Sequence, residues 1–285
     1  MKPARFDYHQ ARSADEAVSL LSQFGADAKI LAGGQSLVPS MNFRLSRPTV
    51  LIDINHANEL DFISEGDDGT QIGSLVRHVT LERGASKNPV GRLLELAAHH
   101  VGHLPIRVRG TFGGSLAHAD PAAEWCVIAT LLDAEIVARN ASGIRTIPAS
   151  EFFQTIFTTA LSPDELLVEA RLPAVSPSAQ VGFSEFSRRA GDFALTMVAV
   201  VLETTDGRVE SARIACGGVS DRPVRAPEAE RALVGQQLGP DLMRAAAETA
   251  SEELDPLGDI HGSADYRRDL IRVMTRRALE QATET

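Results

Sequence analysis

Two glycine pairs constrain this chain more than any other feature. The first lies in Ala32-Gly33-Gly34-Gln35-Ser36. The second lies in Thr111-Phe112-Gly113-Gly114-Ser115, which runs on into Leu116-Ala117-His118-Ala119-Asp120-Pro121. A Gly-Gly pair lets a backbone approach a ligand closely and aim successive N–H groups at it, an arrangement suited to phosphate oxygens. One such loop alone is a common structural turn. Two of the same grammar, with Ser36, Thr111 and Ser115 as hydroxyl donors, point to a ligand with two phosphates, such as a dinucleotide. The motifs also exclude two common nucleotide folds. There is no G-x-G-x-x-G followed by a helix and an acidic residue, so the fold is not Rossmann. Neither pair ends in the Gly-Lys-Ser/Thr of a P-loop.

The pattern around the glycines alternates helix and strand. Ser13-Ala14-Asp15-Glu16 is a capping box ahead of Ala17, Val18, Leu20, Leu21 and Phe24 at helical spacing. Strands are predicted at 29–32, which delivers the first glycine loop, and at 50–54 and 71–74. Helices are predicted at 93–101 and, behind the second glycine loop, at 121–132, where Pro121 suits a first helical position. A hairpin is predicted over 135–139 and 144–147 around Asn140-Ala141-Ser142-Gly143, then a strand at 166–172. The segment 172–178, with two prolines and two serines, reads as the best linker in the chain. Beyond it, 182–186, 194–203 and 209–215 suggest a three-stranded antiparallel sheet with a turn at Asp206-Gly207. Helices follow at 227–233, 241–254 and 264–282.

Composition narrows the function. A net charge of −10 repels a nucleic-acid backbone, and no basic cluster with interleaved aromatics offsets it. No apolar run approaches the roughly 20 residues of a membrane span, and the N-terminal residues lack the apolar region of a secretion signal; a cytoplasmic protein is expected. Cys126 and Cys216, far apart in apolar surroundings, cannot supply the four thiolates of an iron–sulfur cluster or structural zinc site. His99 and His103 have a metal-compatible spacing but no carboxylate partner or H-E-x-x-H pattern, so no metal site is assigned. His118 with Asp120 is read as shaping the second loop, and Cys216-Gly217-Gly218 as a turn.

Longer stretches carry a resemblance. Residues 31–55 (LAGGQSLVPSMNFRLSRPTVLIDIN) and 106–124 (IRVRGTFGGSLAHADPAAE) resemble the two flavin-binding stretches of the medium, FAD-binding subunit of molybdenum hydroxylases. This is the family of carbon monoxide, nicotine and xanthine dehydrogenases. The likeness continues through Arg188 to Ala194 and Cys216 to Val219 and ends in 259–268 (DIHGSADYRR), covering almost the whole chain in order. It implies an α+β fold: a non-Rossmann, two-lobed FAD-binding domain (1–55 and 56–175), then a C-terminal α+β domain (178–285). It implies noncovalent FAD, with Ala32, Gly33, Gly34, Gln35, Ser36, Thr111, Gly113, Gly114 and Ser115 along the pyrophosphate and ribityl chain. By the same resemblance Glu124 lies near the adenosine part, and Leu161 makes an apolar contact with the flavin region. Phe193 stands where many members carry a tyrosine that can lie over the isoalloxazine.

The implied role is electron transfer, without catalytic acids or bases of its own. A small [2Fe–2S] subunit and a large molybdopterin subunit would be the partners. Departures from the family pattern are Val108, where asparagine is common, and Phe193 itself. Glu185 falls in a stretch where relatives often carry a lysine, so no charged role is carried over to it. Two other readings stand beside this one. An independent FAD-dependent reductase would need a catalytic acid facing the flavin, and none is evident. A flavin-free scaffold would bind no FAD at all.

Overall fold

The N-terminal lobe forms where local signals and remote pairing agree. Ser13 is extended, and its hydroxyl accepts from the Glu16 N–H, so α1 (Ala14–Phe24) starts at the predicted cap. In the computed structural model, which describes residues 2–84 and 86–284, β1 (Asp7–Gln10), β2 (Ala28–Leu31) and β3 (Val50–Asp53) form a parallel sheet in the order β1-β3-β2. The short α2 (Leu37–Asn42) connects β2 to β3. Ala17, Val18 and Leu21 of α1 pack with Val50 and Ile52 in one core. The sequence reading omits β1. Its residues, Asp-Tyr-His-Gln, are polar and mostly exposed, and only pairing with distant β3 makes them a strand.

The middle lobe is built on an antiparallel sheet. β4 (Ile63–Gly66), β5 (Gly69–Gly73), β6 (Glu135–Asn140), β7 (Gly143–Pro148) and, later in the chain, β10 (Leu166–Pro173) lie in the order β4-β5-β10-β6-β7. The two-stranded ribbon β8 (Phe153–Thr155) and β9 (Thr158–Thr159) sits between β7 and β10 in sequence. Helices α3 (His78–Glu82), α4 (Pro89–Ala98), α5 (Leu104–Arg107), α6 (Phe112–His118), α7 (Glu124–Leu131) and α8 (Ala149–Phe152) complete the lobe. Trp125, Cys126, Val127, Ile128, Ala129 and Leu131 are all buried, so α7 is an interior helix with no solvent stripe.

The C-terminal sheet corrects one expectation. β11 (Gln180–Ser187), β12 (Ala194–Thr205) and β13 (Arg208–Gly217) are joined by a fourth strand, β14 (Val224–Arg225), in the order β11-β12-β13-β14. A two-residue strand has no readable periodicity; β14 exists through its pairing with Ala215 and Cys216. The sheet is buried on both faces, which explains the unbroken apolar run in β12. Met197, Ala199 and Val201 join the core of the middle lobe. Val198, Val200 and Leu202 instead meet α9 (Pro227–Leu233), α10 (Pro240–Glu253) and α11 (Ala264–Thr283). A Cβ on Gly182 would lie 2.0 Å from the Ala278 carbonyl oxygen, so that glycine lets α11 seat against β11. The chain is α+β: its parallel sheet stops at three strands, and the other sheets are antiparallel. Among the described residues no helix is long and apolar enough to cross a membrane.

Candidate cofactor site

The first glycine turn hangs from the C-terminal end of β2. Gly34 has φ +71°, the left-handed region that favours glycine. The Gly34 carbonyl accepts from the Val38 N–H (3.0 Å) and the Ser36 carbonyl from the Ser40 N–H (3.1 Å), which winds the chain into α2. The Gln35 side-chain amide folds back onto the Gly33 carbonyl (3.0 Å). By contrast, the N–H groups of Gly33, Gly34, Gln35 and Ser36 make no hydrogen bond among the described residues. Four successive unspent donors at a strand end are an arrangement suited to an anion.

The second glycine pair is the first turn of α6, where the sequence reading has a loop and places the next helix at 121–132; that helix, α7, begins at Glu124. Thr111 is extended, and its Oγ1 caps α6 by accepting from the Gly114 N–H (3.0 Å). The Phe112 N–H donates to Val76, the Gly113 N–H to Ser74 and the Ser115 N–H to Thr111, at 2.8, 3.1 and 3.0 Å. These donors are all engaged. The glycines serve close packing: a Cβ on Gly113 would sit 2.5 Å from Ser74 Cβ, and one on Gly110 2.5 Å from His78 Nε2. His78 is itself buried and accepts at Nδ1 from the Trp125 indole N–H (2.8 Å). Burial, and then the charges of Arg77 and Arg107, push its pKa down to about 3, which keeps it a neutral acceptor.

The two turns touch. A Cβ on Gly33 would lie 2.3 Å from the Arg109 carbonyl oxygen and 2.6 Å from Gly110 Cα, and one on Gly114 would lie 4.0 Å from Ala32 Cβ. Ala32, Gly33 and Gly114 therefore share one location, with Thr111 beside them. Glu124 opens α7, close behind α6. Leu161 is half-buried between β9 and β10, and Phe193 is 64% exposed between β11 and β12. Among the described residues, no hydrogen bond or ring contact joins either of them to the glycine turns. His99 and His103 both lie beyond the end of α4, so their spacing is not one helical turn. His99 pairs with Glu82 at 3.4 Å.

Glu185 is a residue to which the sequence reading gives no role. Ser184 on β11 donates to Met274 of α11 (3.3 Å), which turns the neighbouring positions Phe183 and Glu185 toward α4. Phe183 rests against the His100 ring, and Glu185 Oε1 lies 3.9 Å from His100 Nδ1. The Glu185 side chain is 2% exposed, and its Oε2 has no partner among the described residues. Burial, then the charge of Glu124, pushes its pKa up to about 9. Burial also raises Glu124, to about 7. An orphaned buried carboxyl oxygen needs a polar partner. This and the open donors of the first turn fit a polar cofactor.

Comparison with known proteins gives this geometry its class. Residues 4–175 match the family described as the FAD binding domain in molybdopterin dehydrogenase, and residues 182–282 match the CO dehydrogenase flavoprotein C-terminal domain. The chain is 42% identical to the 6-hydroxypseudooxynicotine dehydrogenase complex subunit alpha of Paenarthrobacter nicotinovorans, over 99% of this chain and 96% of that one. It is 38% identical to the nicotine 6-hydroxylase medium subunit of the same organism, over 99% of both. A solved carbon monoxide dehydrogenase from Hydrogenophaga pseudoflava, lacking the Mo-pyranopterin moiety of its cofactor, superposes with a TM-score of 0.93 at 37% identity, covering 100% of this chain and 99% of that one. The chain belongs to the FAD-binding flavoprotein family of the molybdopterin dehydrogenases.

Proposed function

We propose that this chain is the FAD-binding electron-transfer subunit of a multi-subunit molybdenum hydroxylase, taking electrons from [2Fe–2S] clusters in a small partner and delivering them to an external acceptor. Substrate is oxidised in a large molybdopterin subunit. The observation that carries the reading is the row of open N–H donors at Gly33, Gly34, Gln35 and Ser36, pressed against the second glycine turn. Ala32 to Ser36 hold the pyrophosphate through backbone donors. Thr111, Gly113, Gly114 and Ser115 supply a close-packed wall and hydroxyls along the ribityl chain. Glu124 serves the adenosine part, and Leu161 and Phe193 the flavin ring. When bound, FAD supplies the redox chemistry; the chain's residues set its position and access.

The partner requirement is supported by the cysteines. Cys126 and Cys216 are both buried and free, and burial raises both thiols, so neither offers the thiolate an iron–sulfur cluster needs. Relatives are named for nicotine, caffeine and carbon monoxide. Such different molecules on one kind of medium subunit support a choice of substrate made in a partner. We read the chain as cytoplasmic, with lobes at 1–55 and 56–175 and a C-terminal domain at 178–285; the last boundary lies between the two family matches. The test is purification with co-encoded partners and an absorbance spectrum. A flavin spectrum reduced by substrate only when both partners are present is expected. Full turnover of a soluble substrate by this chain alone would instead establish an independent reductase, and no FAD uptake on reconstitution would establish a scaffold.

A further inference from the structure

The two glycine turns come from distant parts of the chain, and one polar network joins them. The Tyr8 hydroxyl donates to Asp53 Oδ2 (2.6 Å). Asp53 Oδ1 accepts from the Asn55 backbone N–H (2.9 Å) and from Asn55 Nδ2 (2.6 Å). Asn55 Nδ2 also donates to the carbonyl of Ala32 (2.8 Å), the residue that opens the first turn. On its other side, Asn55 Oδ1 accepts from Arg77 Nη2 (2.7 Å). The Arg77 Nη1 donates to the Arg109 carbonyl, the same oxygen against which Gly33 is packed. The network therefore runs from β1 through the first turn to the segment that leads into the second.

The residue types suit this task. Asn55 faces two oxygens with its NH2 and a guanidinium with its oxygen, so only one amide orientation satisfies all three contacts. Aspartate there would lose both donated bonds. Arg77 uses two prongs of a planar fork to bridge acceptors on different segments, which a lysine ammonium reaches only singly. Arg77 is half-buried, with Asp53, Asp61 and Arg109 as its charged neighbours. Its two donors thus join segments far apart in the chain.

Resting on the FAD reading above, we propose that Asn55 and Arg77 form a clamp that sets the spacing between the two glycine turns, making both positioning residues for the FAD pyrophosphate. Neither touches the phosphates. They act by holding Ala32 and Arg109, so that open donors of the first turn face a wall at fixed distance. The clamp belongs to cofactor affinity more than to folding, because each turn is already anchored in its own lobe by β2 or α6.

The experiment is flavin titration of the purified complex after removal of its FAD, followed by fluorescence quenching, on wild type, Arg77→Gln, Arg77→Lys, Asn55→Ala and the Arg77→Gln/Asn55→Ala double variant. Arg77→Gln and Asn55→Ala are expected to weaken FAD binding at least tenfold each. Arg77→Lys should restore part of the loss. The double variant should be no worse than the weaker single one, because either change opens the same clamp. Melting temperatures of the flavin-free proteins should stay within a few degrees of wild type. FAD affinity within twofold of wild type in Arg77→Gln would overturn the clamp, as would single-variant losses that multiply in the double. Failure of the wild-type complex to take up FAD would overturn the parent reading instead, and that outcome is distinguishable at the first titration.

Discussion

The two glycine turns share a grammar and solve different physical problems. In the first, Gly34 supplies a left-handed backbone, and four neighbouring N–H groups stay unspent. In the second, no residue from Thr111 to Ser115 is left-handed, and the donors of Phe112, Gly113, Gly114 and Ser115 are consumed by a cap, a helix turn and the 74–78 segment. One turn is built to donate; the other is built to be close. A repeated motif therefore does not imply a repeated role, and the proposed site takes its anion-facing donors from the first turn and its shape from the second.

The strongest way to break this contrast is Gly34→Val. A β-branched residue is a poor occupant of φ +71°, and its Cβ would lie 3.1 Å from Leu31 Cδ1 and 3.2 Å from Val38 Cγ2. The turn must change conformation and re-aim its donors. Losing two charge-assisted hydrogen bonds of about 1.5 kcal/mol each weakens FAD roughly a hundredfold. Flavin titration should show that loss, and affinity within threefold of wild type would remove the first turn from the pyrophosphate.

Gly114→Val should fail differently. Its Cβ would sit 2.7 Å from Thr111 Oγ1, the capping hydroxyl, so the substitution attacks the fold of α6 before it reaches any ligand. Overpacking plus a lost cap costs about 2–4 kcal/mol, read as a lowered melting temperature of the flavin-free protein. Thr111→Val isolates the cap alone, at about 1 kcal/mol, or roughly 2–4 °C. If Thr111→Val instead spared the melting temperature and abolished FAD binding, the roles of the two turns would be reversed.

How much of this was legible in the sequence depends on the range of the signal. The Ser13 cap, the hairpin over β6 and β7, the long α11 and the glycine pairs all announce themselves within a few residues. β1 and β14 do not, because polar or two-residue strands are defined by partners far along the chain. The same division runs through the site. Asn55 carried a short-range hint, since Asp53-Ile54-Asn55 closes an aspartate turn onto its own backbone. Arg77 carried none: its acceptors are 22 and 32 residues away. Glu185 was visible only as a departure from the family pattern. Its burial follows from β11 packing its odd-numbered face on α4, which no local pattern reveals.

The smallest expected effect concerns pH, because two carboxyls, Asp53 in the network beside the first turn and Glu185 facing α4, are shifted in opposite directions. Burial alone would raise Asp53, but its hydrogen bonds from Tyr8 and Asn55 outweigh that and hold its pKa below the ordinary value. Its contribution to stability is present above the unfolded pKa and is lost as pH falls through the folded one. Glu185 has the reverse sign. Raised to about 9 by burial and then by the charge of Glu124, it binds a proton in the folded protein that the unfolded chain has already released at neutral pH. Its contribution is complete below the usual glutamate range and is lost as pH climbs to about 9. The flavin-free protein should therefore lose melting temperature on both limbs of a pH 2–10 series, the acid limb through neutral, buried His78 between about pH 6.5 and 3 and through Asp53 below about pH 4. Tyr8→Phe should flatten only the part of the acid limb below about pH 4, leaving the His78 part and the alkaline limb unchanged. Glu185→Gln, which keeps a neutral group of the same shape, should flatten the alkaline limb between about pH 7 and 9, above the range in which Glu124 is titrating. A limb equally steep between about pH 7 and 9 in Glu185→Gln would mean that the carboxyl is paired in the folded protein and carries its charge there.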